Sequence, residues 1–273
     1  MIELLPSILS LAPGRTVSAV NMFPELQLDG RPTIGSWLQL ADPALTEMMA
    51  EVGFDWLAVD LEHTTTSIAQ AGELIRIGTL AGVPMLVRLG GHDPAQIKRV
   101  LDAGAQGIIA PMVTTSSEAQ RIVEAASYPP AGSRGVGLGR AQQYGTGFGE
   151  YLHGTANDIV VITQIEHIDA VQNLGAILDV DGVDGFFVGP YDLSGSLGRP
   201  GELEHPEVKA ALAEIERFIT PDGPVAGIHV VEPDVAKLEE SIDAGYRFVA
   251  FASEMLIFSH RAAQLSELLA AVR

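Results

Sequence analysis

Cysteine is absent from the 273 residues of this chain. That absence excludes structural disulfides, catalysis by a thiolate and zinc sites built from cysteine. It is consistent with a reducing compartment, and we expect a cytoplasmic protein.

Basic residues are also scarce. The chain has 16 Lys and Arg against 35 Asp and Glu, and its formal net charge is −19. Nucleic acid is therefore not an expected partner, since clustered Lys and Arg are needed to neutralise its phosphates. The negative charge is also poorly suited to an anionic membrane surface. A small anionic substrate can still bind where a few Arg residues or a metal ion act locally.

A long apolar segment is missing as well. Residues 4–11 are apolar, but they are too few to cross a membrane. Glu3 precedes them, where a signal peptide would carry basic residues. We expect neither a membrane span nor a signal peptide.

The chain does contain a regular alternation of short β-like segments and amphipathic helical segments, which is typical of a parallel sheet with crossover helices. The predicted strands are 33–40, 56–60, 85–89, 107–111, 159–165, 185–189, 225–229 and 248–251. The predicted helices are 43–52, 67–80, 94–103, 116–126, 168–178, 206–219, 233–244 and 254–272.

Eight βα units without a break in composition favour a closed (β/α)8 barrel in one domain. Asp42 and Asp93 each precede a proline and are predicted helix N-caps, and Gly53 and Gly245 are predicted C-terminal caps. An open doubly wound sheet normally has a G-x-G-x-x-G turn after its first strand, and none follows Leu40. We assign residues 1–20 to an N-terminal extension and 21–273 to the barrel, with 128–157 as its longest irregular segment.

Polar and ionisable residues gather where the predicted strands end. They are Asp60, Glu62 and His63 after the second strand, Arg88 on the third, Gln164 and Glu166 on the fifth, Asp192 after the sixth, and His229 on the seventh. Active sites of (β/α)8 barrels lie at the carboxyl ends of the strands. Ionisable groups are costly to bury unless they are paired or bind a metal, so this end of the barrel is the candidate site.

Glu166 and Asp192 are the candidate metal ligands. Two carboxylates from adjacent strand ends offer hard oxygen ligands to Mg²⁺, Mn²⁺ or Co²⁺, with water and a chelating substrate completing the octahedron. The alternative is that either side chain caps a helix or a turn. His167 is a further possible ligand, although a role in its loop is the commoner one for such a residue.

Arg88 is the candidate carboxylate clamp, because its planar guanidinium can bind two oxygens in a fixed geometry. The alternative is an internal ion pair with Asp60 or Glu62. His63 is the candidate general base, since its ordinary pKa lies near neutral pH, and the alternative is a structural histidine. His229 either lines the pocket or has a core or capping role.

The three lysines, Lys98, Lys209 and Lys237, all fall within predicted helices. A Schiff-base aldolase needs a lysine on a barrel strand, beside its substrate. If this chain activates a carbonyl group, we therefore expect a metal ion to do so, with no Schiff-base lysine and no organic cofactor. The glycine-rich segment 132–140 lacks the G-K-[ST] sequence of a phosphate loop, and acidic Glu232 and Glu254 follow the last two strands. A phosphorylated substrate is not expected.

Several motifs occur in a characteristic order. They include Gly35-Ser36-Trp37-Leu38, Asp60-Leu61-Glu62-His63, Val87-Arg88, Asp102-Ala103-Gly104-Ala105, Ala110-Pro111-Met112-Val113, Arg134-Gly135-Val136-Gly137, Gln164-Ile165-Glu166 and Val188-Gly189-Pro190-Tyr191-Asp192. In these motifs the chain resembles the class II, metal-dependent pyruvate aldolases of the HpcH/HpaI family, from about residue 21 to the C-terminus. The resemblance implies a barrel of the phosphoenolpyruvate/pyruvate-domain type.

The resemblance also implies roles for individual residues. Glu166 and Asp192 would hold the metal ion, and pyruvate would chelate it through its carboxylate and keto oxygens. Arg88 would stabilise the developing enolate, with Gln164 nearby.

For the remaining positions, the resemblance implies that His63 moves protons and is oriented by Asp60 or Asp102. The backbone of Gly189, Pro190 and Tyr191 would contact the substrate carboxylate, and Trp37 would line the pocket. Members of the family form hexamers built from dimers, so we expect a homo-oligomer.

The expected reaction is reversible cleavage of a 4-hydroxy-2-oxo acid to pyruvate, or a close 2-oxo acid such as hydroxypyruvate, and an aldehyde. Two enzymatic alternatives are a decarboxylase of oxaloacetate-like acids, as in the macrophomate-synthase branch, and an acyl-CoA lyase of the citrate-lyase β type. A third is a barrel that binds a metabolite without turnover. His229 and the sequence Phe251-Ala252-Ser253-Glu254 depart from the family pattern, which leaves the acceptor aldehyde open.

Overall fold

The computed structural model describes residues 31–272. The predicted N-terminal extension, residues 1–20, lies outside the described residues. Within the described part, no helix is both long enough and apolar enough to cross a membrane.

Eight parallel strands form a closed barrel in sequence order, with β8 paired to β1. The strands are β1 Thr33–Leu38, β2 Trp56–Asp60, β3 Met85–Arg88, β4 Gly107–Ala110, β5 Val160–Ile165, β6 Gly185–Val188, β7 Val225–Val230 and β8 Phe248–Ser253. The predicted (β/α)8 fold is confirmed.

Ten α-helices accompany the strands within residues 31–272. They are α1 Pro43–Ala50, α2 Ile68–Leu80, α3 Pro94–Asp102, α4 Ser116–Ala126, α5 Phe148–His153, α6 Ile168–Leu178, α7 Pro190–Ser196, α8 Pro206–Glu216, α9 Val235–Asp243 and α10 Glu254–Ala271. Helix α7 was not predicted, and α5 lies in the segment predicted as an irregular loop with short helical turns.

The predicted helix caps are present in the structure. The Asp42 carboxylate accepts a hydrogen bond from the backbone N–H of Leu45, and Asp93 caps α3 in the same way through Ala95. Gly53 and Gly245 have φ values of +97° and +100°, the left-handed conformation in which glycine commonly ends a helix. These caps fix where each helix begins and ends, and hence how each strand enters the barrel.

Large apolar side chains fill the barrel interior, and every strand contributes at least one. The interior cluster consists of Trp37, Trp56, Ala58, Leu86, Ile109, Val160, Ile162, Phe187, Val225, Phe248 and Ala250. A second, larger cluster packs between the strands and the surrounding helices. This two-layer core holds the strand ends rigidly at the mouth of the barrel.

Aromatic rings form the floor beneath the barrel mouth. Trp56 and Phe248 stack with their ring centroids 4.1 Å apart, and Trp37 meets Phe187 edge to face at 5.6 Å. Glycine makes room for them, since a Cβ atom at Gly227 would lie 2.6 Å from the Phe187 ring. The interior is therefore packed below Trp37 and open above it.

Candidate active site

A cavity of about 380 Å³ opens at the carboxyl ends of the strands. Its inner part is lined by Trp37, Arg88, Gln164, Phe187 and His229, which all come from strands. Its outer part extends over the start of α7 and along α9. The cavity lies where the sequence predicted the site, and most of the predicted residues line it or contact residues that do.

Arg88 is held at the inner end of this cavity by Asp60. The two residues are register partners on β3 and β2. The Nε atom of Arg88 donates to Oδ1 of Asp60 at 2.9 Å, and Nη2 donates to Oδ2 at 2.6 Å. The guanidinium carbon also lies 4.4 Å from the centroid of the Trp37 ring, a cation–π contact.

This ion pair is buried, with 11% of the Arg88 side chain and none of the Asp60 side chain exposed. Burial alone would raise the pKa of Asp60, but the hydrogen bonds and charge of Arg88 hold it below its usual value. The internal ion pair that the sequence left as an alternative is therefore present. It does not use the whole guanidinium, because no oxygen within residues 31–272 accepts a hydrogen bond from Nη1.

Glu62 is a largely buried carboxyl group beside Arg88 to which the sequence assigned no role in the site. Its Oε2 atom is buried without a hydrogen-bond partner among the described residues, 3.5 Å from Nε of Arg88 and 3.6 Å from Nε2 of His63. Burial and the nearby carboxylates, first that of Glu166, raise the pKa of Glu62 to about 8. In the metal-free chain this pKa favours the protonated form of the side chain near neutral pH. The signals in the sequence were its place in the Asp60–His63 motif, at the end of a predicted strand, and its possible ion pair with Arg88.

Glu166 follows β5 and is almost completely buried. Its Oε1 atom accepts a hydrogen bond from the backbone N–H of Met112 at 2.6 Å, and its Oε2 atom accepts one from the Gln164 side chain. Met112 has a φ of +51°, an uncommon conformation for a residue with a side chain. A Cβ atom at Gly189 would lie 2.7 Å from Oε2, so the lack of a side chain there leaves room for the Glu166 carboxylate.

Asp192 lies in the first turn of α7 and lines the cavity. It is not the N-cap of this helix, because Gly189 occupies that position. The charge of Asp192 contributes, after burial, to raising the pKa of both Glu166 and Glu62. The three carboxyl groups therefore share one region at the barrel mouth, where the charge of Asp192 makes Glu62 and Glu166 harder to ionise.

The predicted histidines have different positions. The His63 side chain is about half exposed at the rim of the barrel, and its backbone N–H lies 3.3 Å from Oδ1 of Asp60. His229 lines the cavity and its Nε2 lies 3.2 Å from the carbonyl oxygen of Ala252. Burial lowers the pKa of His229 to about 4, so its ring is neutral. His167 is the N-cap of α6, where its Nδ1 accepts a hydrogen bond from the backbone N–H of Asp169.

Asp60 or Asp102 was predicted to orient His63, and within this chain the structure brings Asp60, but not Asp102, to the site. Asp102 is the last residue of α3, at the amino-terminal end of the barrel, because the helix runs back from β3 to the start of β4. Its carboxylate instead accepts a hydrogen bond from Nη2 of Arg134 at 2.8 Å. Arg134 lies against the rings of Tyr128 and Tyr151, so this contact anchors the segment 128–157.

All three lysines lie in helices, as predicted. Lys98 is in α3 and Lys209 is in α8. Lys237 in α9 lines the outer end of the cavity, which the sequence did not predict, and its ammonium group pairs with Glu232. The inner end, around Arg88, is lined by no lysine of the described chain.

Comparison with known proteins connects this geometry to a family. The family model described as HpcH/HpaI aldolase/citrate lyase matches residues 33–261. A curated relative from Salmonella dublin, named 4-hydroxy-2-oxo-heptane-1,7-dioate aldolase, is 40% identical over 250 residues, which are 90% of this chain and 93% of the relative.

Solved structures agree with the sequence comparison. An HpcH/HpaI aldolase/citrate lyase family protein from Burkholderia cenocepacia J2315 superposes with a TM-score of 0.85 at 30% identity, over 92% of this chain and 99% of the other. An HpcH/HpaI aldolase from Desulfitobacterium hafniense DCB-2 gives a TM-score of 0.80 at 30% identity, over 90% and 95%. The resemblance and the class of enzyme expected from the sequence, an aldolase, are confirmed. The chain belongs to the HpcH/HpaI aldolase/citrate lyase family.

Proposed function

We propose that this chain cleaves a 4-hydroxy-2-oxo acid reversibly to pyruvate, or a close 2-oxo acid such as hydroxypyruvate, and an aldehyde. A divalent cation, Mg²⁺, Mn²⁺ or Co²⁺, would be held by Glu166 and Asp192. The observation that carries the proposal is the buried Arg88, fixed by Asp60 at the inner end of the cavity with one nitrogen left for a ligand. A substrate with a carboxylate or an oxyanion suits this arrangement.

The carboxyl groups of the site fit a cation. Glu166 and Glu62 both have raised pKa values, first because they are buried and then because neighbouring carboxylates repel them. Oε2 of Glu62 and Oε1 of Gln164 are buried without a hydrogen-bond partner in the described chain. A bound cation would offset the repulsion and favour ionised Glu166.

The few side-chain ligands would leave coordination positions on the cation for substrate oxygens. No group of three or more His, Asp or Glu side chains among residues 31–272 is arranged to hold a metal ion by itself. Hard divalent cations prefer six or more oxygens, so water and substrate oxygens would complete the coordination. When bound, the cation would supply Lewis-acid stabilisation of the negative charge that develops on the keto oxygen.

The proposed reaction breaks the bond between C3 and C4 of the substrate. The C4 hydroxyl loses its proton and becomes the aldehyde, while the electron pair passes to C3 and gives the enolate of pyruvate. A proton then returns to C3. Arg88 would stabilise the enolate oxygen through its free nitrogen, because a charged hydrogen bond inside a water-poor site is strong.

We assign proton transfer to residues at the rim of the barrel. His63 would take the proton from the C4 hydroxyl, since its half-exposed ring lies at the barrel mouth. The Glu62 carboxyl group lies 3.6 Å from Nε2 of His63, so it can exchange protons with that ring. Asp60 supports both residues, because its Oδ1 atom accepts hydrogen bonds from their backbone N–H groups.

The remaining predicted residues would bind the keto acid. Gly189, Pro190 and Tyr191 line the cavity next to Asp192, where their backbone could meet the substrate carboxylate. Trp37 forms the apolar floor, and Gln164 projects beside Glu166. These positions would enclose a three-carbon acid between the proposed cation ligands and Arg88.

We also propose a homo-oligomer, specifically a hexamer built from dimers. Glu254 is the one buried residue of the eighteen in α10, and apolar Phe258, Leu268 and Leu269 are exposed. Exposed apolar surface of this kind is typical of an interface. A particle mass in solution near 28.9 kDa, the mass of one chain, would contradict an oligomer.

The first prediction concerns the cation. We expect EDTA to lower the rate of pyruvate release from a 4-hydroxy-2-oxo acid by about a hundredfold or more, since a cation contributes several kcal/mol to charge stabilisation. Adding Mg²⁺, Mn²⁺ or Co²⁺ should restore it in the wild type but not in Glu166→Gln. Activity that survives complete metal removal contradicts the mechanism. A parallel assay supplies oxaloacetate without an aldehyde. Release of pyruvate in that assay would indicate a decarboxylase instead.

The second prediction concerns the guanidinium. Arg88→Lys keeps the positive charge but loses the planar fork that binds Asp60 and substrate together. We expect kcat/KM for pyruvate release to fall about tenfold to hundredfold, the equivalent of one charged hydrogen bond. Arg121→Lys on the exposed side of α4 is the matched control and should leave kcat/KM unchanged. Equal kinetics in the two variants would remove Arg88 from the site.

The third prediction concerns the pH dependence of stability in metal-free protein. The pKa of Glu62 is about 8 in the folded chain against 4.5 in an unfolded one, so between these values the folded chain binds the extra proton. Stability from this residue is therefore present at low pH and is lost as the pH rises toward 8. Glutamine cannot titrate, so Glu62→Gln does not lose this stability. The difference in Tm between Glu62→Gln and the wild type should therefore shift in favour of the variant as the pH rises from about 5 to about 8.

Thermal unfolding in EDTA across that pH range measures the effect. Glu47→Gln, at an exposed position in α1, is the control. Its curve of Tm against pH should run parallel to that of the wild type. Parallel curves for Glu62→Gln as well would show that Glu62 is ionised in the folded chain, against the proposed charge cluster.

A further inference from the structure

The cavity is larger than the inner site needs. Beyond Arg88 and Asp192 it continues outward between the start of α7 and helix α9. Leu203, Val231 and Tyr191 give this outer part its apolar walls, and Lys237, Glu240 and Ser241 line its rim. In a substrate whose keto acid lies against Arg88, everything from C4 onward must occupy this outer part. Its role in selecting the second product, the aldehyde, rests on the proposed function.

The rim carries more negative than positive charge. Lys237 is its one cation among the lining residues, and its ammonium group is already paired with Glu232, which also lines the cavity. Glu240 follows Lys237 by three residues, so it projects from the same side of α9. One positive charge and two negative charges leave this part of the cavity with a formal charge of −1.

We infer that the outer cavity selects aldehydes with a neutral, hydroxylated tail over aldehydes that end in a carboxylate. A terminal carboxylate would have to displace Glu232 from Lys237 and remain close to Glu240. A terminal hydroxyl faces no such repulsion, because it can donate to a Glu240 or Glu232 oxygen and accept from the Lys237 ammonium group. The apolar walls would hold the short carbon chain between C4 and the terminal group.

This preference differs from the substrate for which the curated relatives are named. The curated relative is named for 4-hydroxy-2-oxo-heptane-1,7-dioate, whose fragment beyond the pyruvate carbons ends in a second carboxylate. A chain that selected the same fragment would be expected to leave an arginine or an unpaired lysine at the far end of the cavity. Among the described residues that line the outer part of the cavity, Lys237 is the one cationic side chain, and it already pairs with Glu232.

A matched pair of substrates tests the inference. The first is 4-hydroxy-2-oxoheptane-1,7-dioate, and the second is 4,7-dihydroxy-2-oxoheptanoate, which has the same carbon chain with a terminal hydroxymethyl group. The ratio of their kcat/KM values for pyruvate release isolates the terminal group, because the keto-acid end is common to both. We expect the neutral substrate to be favoured by about fivefold or more, the effect of one charge interacting across a few ångströms at a wet surface.

Charge variants identify the residues responsible. Glu240→Gln should reduce the preference, and Glu232→Gln combined with Glu240→Gln should reverse it, because Lys237 is then left unpaired. Lys237→Gln should increase it. Glu239→Gln, exposed on α9 and outside the cavity lining, is the matched control and should leave the ratio unchanged. Added salt should also bring the two substrates closer together, since it screens exposed charges.

The outcomes are distinguishable from failure of the proposed reaction. Pyruvate release from neither substrate would contradict the proposed function, and this inference with it. Release that favours the dioate, or a ratio that is the same in the double variant as in the wild type, would overturn the inference alone and leave the aldolase chemistry intact.

Discussion

The bidentate ion pair between Asp60 and Arg88 is the interaction on which the rest of the site depends. Strand register places the two residues opposite each other on β2 and β3, so the pair follows directly from the closure of the barrel. Because Asp60 is completely buried, it cannot lose its partner without leaving a charge unpaired in the interior. The pair therefore sets the position of Arg88 beneath the cavity, and Trp37 supports the guanidinium from its apolar face.

Electrostatic repulsion is the second constraint. Glu62, Glu166 and Asp192 meet at one end of the barrel, where burial already disfavours the charged forms of Glu62 and Glu166. Such a cluster of carboxylates does not stabilise the barrel. The proposed cation would offset the repulsion between the carboxylates, which is a physical reason for their position. Repulsion between carboxylates also acts in the outer part of the cavity. Surplus carboxylates at the rim favour a neutral tail, whereas the surplus around the inner site favours a metal ion.

The sequence predicted those features that depend on local pattern. Hydrophobic periodicity placed all eight strands in the barrel, and the rule that barrel sites lie at strand ends located Arg88, Gln164 and Glu166 around the cavity. Features that depend on packing across the fold were not predictable. Helix α7 begins at Gly189-Pro190, a pair typical of a turn. Asp102, by contrast, lies at the end of the predicted helix 94–103, which leads into the strand 107–111, so the barrel topology alone places it at the opposite end from the site. Glu62 stood out only when its unpartnered oxygen and its neighbours were visible.

Direct observation of the cation tests the central claim. Anomalous diffraction from crystals of the chain soaked with Mn²⁺ and pyruvate would locate the ion independently of any activity. The account predicts one manganese peak in contact with the carboxylates of Glu166 and Asp192, and no peak there in crystals of Glu166→Gln. A manganese ion bound elsewhere, or bound at the same position in the variant, would contradict it.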